Sequence, residues 1–113
     1  MPALQTVVEL DTFLKRAKAI MSDDERMGIV SFLAANPEAG VSLGGGLRKV
    51  RIQRSGTGKS GGYRTLYVFG GRTMPLFLVT VFAKNEKDNL TKAEQAAAVE
   101  LSKQLIAAYG EAQ

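Results

Sequence analysis

Glycine is distributed very unevenly along this chain of 113 residues. Ten of its twelve glycines lie between Gly40 and Gly71. Because glycine weakens helices and suits tight turns, this middle stretch is predicted to form short strands joined by turns. The segments before and after it carry apolar residues at three- and four-residue spacing, which is typical of amphipathic helices.

Three helices are predicted in these flanking segments. The first begins near Asp11, which offers an N-cap oxygen, and the second begins at the capping box Ser22–Glu25. The two form a helical hairpin that ends before Pro37. The third helix begins at another capping box, Thr91–Glu94. The methionine and phenylalanine side chains are expected in the core: Met21, Met27, Phe32, Phe77 and Phe82.

Four strands are predicted. A short β-prone run, Thr6–Leu10, precedes the first helix, and the glycine-rich stretch contains an alternating run, Leu47–Arg54. Tyr63–Phe69 is rich in aromatic and branched residues, and Met74–Ala83 is nearly all apolar. The order β-α-α-β-β-β-α predicts an α+β fold, with helices before and after a three-strand meander. At this length we expect one domain, residues 1–113.

The composition excludes several kinds of chemistry. The chain has no cysteine and no histidine, so disulfides, thiol nucleophiles and a histidine general base are ruled out. It has no apolar run of 18 residues and no signal-peptide pattern at its start, so a cytoplasmic location is expected.

Positive charge is concentrated in the middle of the chain. The stretch from Ala39 to Asn85 holds eight lysines and arginines and no acidic residue, whereas both flanking stretches hold more acids than bases. A basic block of this kind is typical of a surface that binds a phosphate-rich partner, because a solvated face usually mixes both signs.

A nucleotide-binding loop is not supported. The run Gly56–Ser60 contains the Gly-Lys-Ser of a P-loop, but Gln53 stands where the pattern needs its first glycine. The following segment is predicted as a strand, whereas a P-loop leads into a helix. A hairpin tip that carries Lys59 against a nucleic-acid backbone is the favoured interpretation.

Four basic residues are predicted to converge on one phosphate. Lys49, Arg51 and Arg64 lie on adjacent strands, and Lys84 follows the last strand. Strands are about 4.8 Å apart, so such side chains can reach one ligand. Fixed arginines suit the charge that develops when a ribose 2′-hydroxyl attacks a phosphate, but simple phosphate binding fits equally well. Arg64 shares the parity of Leu66 and so falls on the expected core side, unless the Gly61-Gly62 turn twists it out.

Tyr63 and Tyr67 share the strand face opposite to Arg64. They could stack on RNA bases, and we therefore include them among the RNA-binding candidates. The alternative is that both rings belong to the core and keep only a hydroxyl at its rim.

The order of several short motifs resembles the RelE/ParE superfamily of bacterial toxins, and most closely its HigB-type branch. The motifs are Asn36-Pro37-x-Ala39-Gly40, Gly44–Arg51, Gly58–Tyr67 and Ala83–Leu90. The resemblance implies a RelE-like fold, in which a small, mainly antiparallel sheet is packed by an N-terminal helical hairpin and a C-terminal helix. It implies the toxin of a type II toxin–antitoxin module, usually a ribosome-dependent endoribonuclease that cuts mRNA without a metal or other cofactor.

The resemblance also implies roles and partners. Its catalytic basic positions fall on Lys49, Arg51, Arg64 and Lys84, with Lys87 as the alternative to Lys84. The expected partners are an antitoxin with a helix-turn-helix domain and the ribosome with its mRNA and ribosomal RNA. Asn85 and Thr91 stand near places where the RelE pattern has an arginine and a tyrosine. The full set of RNA-binding candidates is Arg48, Arg54, Lys59, Tyr63, Tyr67 and Lys87.

Two other functions stay open. ParE-like toxins poison DNA gyrase and lack the catalytic bases, and a non-catalytic nucleic-acid-binding module would need charge alone. An acidic antitoxin segment is expected to cover the basic face at Lys49, Arg51 and Arg64. The alternative is an antitoxin that binds elsewhere and blocks ribosome entry by its bulk.

Overall fold

Helices precede and follow a group of strands joined by glycine-containing segments, and this arrangement confirms the predicted α+β class. The computed structural model describes residues 4–53, 62–83 and 90–110. In chain order, the elements are β1 (Val7–Glu9), α1 (Asp11–Ile20), α2 (Asp23–Ala35), β2 (Val41–Gly44), β3 (Leu47–Ile52), β4 (Tyr63–Val68), β5 (Leu76–Ala83) and α3 (Lys92–Tyr109). None of the helices within these ranges is long and apolar enough to cross a membrane.

The strands form one five-stranded sheet in the order β1-β5-β4-β3-β2. β1 runs parallel to β5, and the other three pairs are antiparallel, so the sheet is mainly antiparallel as expected. Residues Val41–Gly44 were not predicted as a strand, yet they form β2, which pairs with β3 at one edge.

Helices cover both faces of this sheet. Alternate residues of a strand point to opposite faces, so β3 and β4 each contribute to two apolar clusters. The helical hairpin α1–α2 covers one face, where Phe13 and Leu33 pack against Val50, Tyr63 and Tyr67. α3 covers the other face, which contains Leu47, Leu66, Val68, Phe77 and Phe82.

The ends of two helices are set by local side-chain hydrogen bonds, as predicted. The Ser22 hydroxyl accepts from the backbone N–H of Glu25, whose carboxylate accepts from the backbone N–H of Ser22. Thr91 and Glu94 make the same reciprocal pair at the start of α3. The prediction of Asp11 as an N-cap is wrong, because Asp11 is the first residue of α1 and Leu10 precedes it without a side-chain cap.

Two apolar residues of α2 contradict the expectation that every methionine and phenylalanine is buried. Met27 is 47% exposed and Phe32 is 40% exposed, while Ile29 and Leu33 face the core. Gly28 lies between them in the helix interior, where glycine costs about 0.5–1 kcal/mol relative to alanine. A β-carbon at Gly28 would meet nothing within 4 Å. The outer side of α2 is therefore apolar and open.

Side-chain contacts fix the N-terminal elements to each other and to the sheet. Arg26 of α2 donates to Glu9 of β1 at 2.5 Å, and this hydrogen bond raises the pKa of Arg26. The Thr12 hydroxyl of α1 donates to the carbonyl of Val79, where the pairing of β5 with β4 shifts register. These contacts join residues that are widely separated along the chain.

Candidate functional site

Two arginines face each other across the strand pair β3–β4. The register places Arg51 directly opposite Arg64, and Lys49 lies two residues before Arg51 on the same face of β3. Directly opposite residues in an antiparallel pair have β-carbons about 5 Å apart. The structure thus brings together three of the four residues predicted to converge on a phosphate.

These three residues lie on the face of the sheet that α3 covers, at the end of that face which stays accessible to solvent. Leu47 and Val68, at the other end, are completely buried in the cluster under α3. Lys49 and Arg64 are half-buried, and Arg51 is exposed. We call Lys49, Arg51 and Arg64 the basic row, and an anion in solvent can reach it.

Arg64 keeps the parity that its strand dictates. It lies on the same face as Leu66 and Val68, so the turn at Gly62, although it has a positive φ of 93°, does not rotate Arg64 to the other face. Its neighbours across the sheet are Arg51 on one side and Phe82 on the other. The Nη1 atom is buried while the residue as a whole is half-buried, so the guanidinium lies at the edge of the core.

Thr80 is a polar residue on this face that was not predicted from the sequence. It lies on β5 opposite Leu66, which in turn lies opposite Lys49, and it is half-buried. It lies two residues before Phe82 and so shares its face, but only the pairing with β4 places it beside the basic row. A hydroxyl at this position can donate a hydrogen bond to a ligand of the basic row.

Arg48 does not belong to this site, which corrects its prediction as an RNA-binding residue. Strand alternation turns it to the opposite face from Lys49. Its Nη2 atom donates to the carbonyl oxygens of Glu38, at 3.0 Å, and Gly40, at 2.5 Å. Arg48 therefore holds the loop between α2 and β2.

The two tyrosines are also structural, which corrects their prediction as RNA-binding residues. Tyr63 is 1% exposed and Tyr67 is fully buried, so neither ring has a face free for a base. The Tyr63 hydroxyl lies 3.2 Å from the carbonyl of Ile20 and 3.3 Å from Oε2 of Glu25, and it can donate to either. The Tyr67 hydroxyl accepts from the backbone N–H of Gly40. The core interpretation of both rings is confirmed.

The other predicted site residues lie outside the described residues. They are Lys84 of the catalytic set and Arg54, Lys59 and Lys87 of the RNA-binding set. Their roles stay predictions. The Gly-Lys-Ser run also lies outside the described residues. β4 follows it along the chain, so the expectation that a strand follows this run is confirmed.

The fold is a mixed sheet with a helical hairpin on one face and a helix on the other. A row of cations lies at an open end of the sheet. Together these features define a small α+β protein suited to bind polyanions. Residues 7–112 match the family model described as "RelE toxin of RelE / RelB toxin-antitoxin system". The match spans nearly the whole chain, so this protein belongs to the RelE toxin family.

Proposed function

We propose that this protein cuts mRNA on the ribosome, as the toxin of a type II toxin–antitoxin module, through a metal-independent site of lysine and arginine side chains. The RelE family supports the toxin role and an antitoxin partner. The observation that carries the nuclease proposal is the direct opposition of Arg51 and Arg64, with Lys49 beside them.

Two like charges directly opposite each other destabilise a sheet. An anion bound between Arg51 and Arg64 removes that repulsion, and each guanidinium can offer two parallel N–H donors to phosphate oxygens. A phosphodiester of the mRNA backbone fits this arrangement. The pair would bind it more tightly as negative charge builds up on the oxygens around the phosphorus, which is the condition for catalysis.

The proposed reaction is an in-line attack within the RNA. The ribose 2′-oxygen forms a bond to phosphorus while the bond from phosphorus to the 5′-oxygen of the next nucleotide breaks. The 2′-hydroxyl proton passes to the neutral amine of a lysine, for which Lys49 and Lys84 are the candidates, and the departing 5′-oxygen takes up a proton from water. Arg51 and Arg64 stabilise the charge on the phosphate throughout.

The remaining basic residues are proposed to bind RNA around this site. Arg54, Lys59 and Lys87 would contact the phosphate backbone of mRNA or ribosomal RNA, which orients the protein without reading sequence. Action on translating ribosomes implies a cytoplasmic location. The antitoxin is proposed to carry a helix-turn-helix domain, and the HigB-type branch stays a prediction from the motif order.

The test is to mix the purified protein with ribosomes stalled on a defined mRNA and to map the 5′ ends of the RNA. We expect a new 5′ end in the decoding site, and none with mRNA alone or with ribosomes and the Arg64→Ala variant. Intact mRNA together with inhibited DNA supercoiling by gyrase would contradict the proposal and support the ParE-like function. Binding of RNA without cleavage would support the non-catalytic module.

A further inference from the structure

An open groove runs along α2 on the sheet face opposite to the basic row. Its volume is about 590 Å³, and its walls come from α2 and from the end of β3. Along the helix it is lined by Glu25, Gly28, Ile29 and Phe32, which share one side because their spacing follows the helical period. Ile52 lines it from β3.

Gly28 shapes this groove for a close neighbour. It lies inside α2, where an alanine would favour the helix, and a β-carbon there would meet nothing within 4 Å in this chain. The internal packing of the described residues therefore does not require glycine. A bound segment would require a glycine here, because the missing side chain lets the backbone of that segment approach the helix closely.

The groove is lined by apolar side chains together with the polar residues Ser22 and Gln53, and carboxylates lie at one end. Phe32 is 40% exposed although its size favours burial, and it lines the groove beside Ile29 and Ile52. Asp24 and Glu25 line one end, and no lysine or arginine is among the described lining residues, in a chain with a net charge of +4. The ion pairs formed by neighbouring described residues join Arg26 to Glu9 and Asp23, and none of them uses Asp24.

We propose that this groove is the docking site of the antitoxin, and that it binds an antitoxin segment with apolar side chains and a lysine or arginine at the Asp24 end. The inference rests on the proposed toxin–antitoxin role. It differs from the expectation that an acidic segment covers the basic row, because the groove has the opposite charge and lies on the other face. A segment in the groove would block ribosome entry by its bulk.

The experiment uses two variants in the groove and two controls. Gly28→Leu fills the groove from a position where a β-carbon would meet nothing within 4 Å. Asp24→Lys reverses the charge of an exposed residue at one end of the groove. Ala97→Leu adds a leucine at an exposed position of α3, on the other side of the sheet, and Arg51→Glu reverses a charge of the basic row. Circular dichroism and thermal melting establish that each variant is folded.

The binding probe is the full-length protein encoded by the reading frame directly beside this gene, with affinity measured by calorimetry. We expect Gly28→Leu to weaken binding about tenfold to a hundredfold, as one over-packed side chain does. Asp24→Lys should also weaken it, and less so at high salt. Ala97→Leu and Arg51→Glu should leave the affinity unchanged.

Several outcomes would overturn the inference. One is a loss of affinity on Arg51→Glu but not on Gly28→Leu, since the antitoxin would then cover the basic row. Another is a parent dimer that Gly28→Leu converts to a monomer with the antitoxin affinity intact, since the groove would then hold a second copy. A neighbouring gene product that does not bind the parent protein at all would also overturn it.

Cleavage on ribosomes is measured in parallel for the parent and for Gly28→Leu. Equal cleavage by both, with antitoxin affinity lost only in the variant, supports the docking site and the nuclease together. If neither cleaves RNA while Gly28→Leu still loses the antitoxin, the proposed function fails and the docking site stands. If Gly28→Leu binds the antitoxin as the parent does, the docking site fails whatever the nuclease result.

Discussion

Arg51 and Arg64 lie directly opposite each other on neighbouring strands, where two like charges lower the stability of a sheet. Sheet stability alone would favour an uncharged or acidic residue at one of these two positions. Removing one guanidinium relieves the repulsion, so catalytic and structural effects of a substitution act in opposite directions. A measurement on one residue can therefore separate them.

We expect Arg64→Ala to lower the rate of ribosome-dependent cleavage by about 10² to 10³, as loss of one charge-stabilising donor does. The melting temperature should stay the same or rise. Arg64→Lys keeps the charge but loses the planar pair of donors, so it should be impaired as well. Single-turnover cleavage and thermal melting of the same samples check both expectations.

Arg72→Ala is the matched control. Arg72 is exposed in the turn before β5, whereas Arg64 lies beside Phe82 near the other end of that strand. The Arg72→Ala substitution removes the same charge from the same basic block and should leave the cleavage rate nearly unchanged. A large drop in the melting temperature of Arg64→Ala would show that Arg64 supports the sheet.

Tyr63→Phe should affect stability and spare RNA binding. The hydroxyl of Tyr63 bonds at the joint between α1 and α2, and its loss should cost about 1 kcal/mol of unfolding free energy. Denaturant unfolding and RNA affinity are the two measurements. Weaker RNA binding at unchanged stability would instead restore the stacking role.

The alternation of β4 already separated the tyrosines from Arg64 in the sequence. It could not show how far the helices cover each face, because that depends on where α1–α2 and α3 lie over the sheet. The hairpin α1–α2 buries Tyr63, whereas Arg64 on the α3 face is half-exposed. The face of the sheet on which each of these residues lies was predictable, whereas the exposure of its side chain was not.

At the scale of elements, the capping boxes of α2 and α3 were predictable because each is a contact between residues three positions apart. β2 was missed because Val41–Gly44 is only four residues long and runs into a series of glycines, which reads as a turn. Only the pairing with β3 makes this segment a strand. The two capping boxes were read correctly from residues within one helix, whereas the N-cap at Asp11 was wrong and the strand that depends on a partner was missed.

Two glycines, one inside α2 and one directly before β2, should respond in opposite ways to alanine. Gly28→Ala should raise the unfolding free energy by about 0.5–1 kcal/mol, because alanine favours the helix and meets nothing. Gly40→Ala should lower it by about 1–3 kcal/mol, because its β-carbon would clash with the backbone carbonyl of Lys49. Denaturant unfolding of both variants tests the pair, and a destabilised Gly28→Ala would contradict the open outer side of α2.

For the molecule as a whole, the acid-free stretch from Ala39 to Asn85 predicts strongly salt-dependent binding to RNA. Each phosphate contact contributes about −0.9 to the slope of log affinity against log salt for duplex DNA, and about −0.7 for single strands. Several contacts should therefore give a slope of about −3 or steeper. Titration of ribosome binding at increasing potassium chloride concentrations measures it.

Arg51→Gln should make that slope shallower by a little less than one unit, since one phosphate contact is lost. Arg72→Gln should change it little. A flat salt response of the parent protein would contradict an electrostatic mode of binding.

The pairing of β1 with β5 also determines when a newly made chain can fold. Val7–Glu9 leaves the ribosome before its partner strand, Leu76–Ala83, which lies about 70 residues further along the chain. The docking of α1 depends on the same strand, because the Thr12 hydroxyl donates to the carbonyl of Val79. Folding that depends on such distant contacts comes late. A toxin with the proposed action on translation would thus gain its activity only after β5 has left the ribosome.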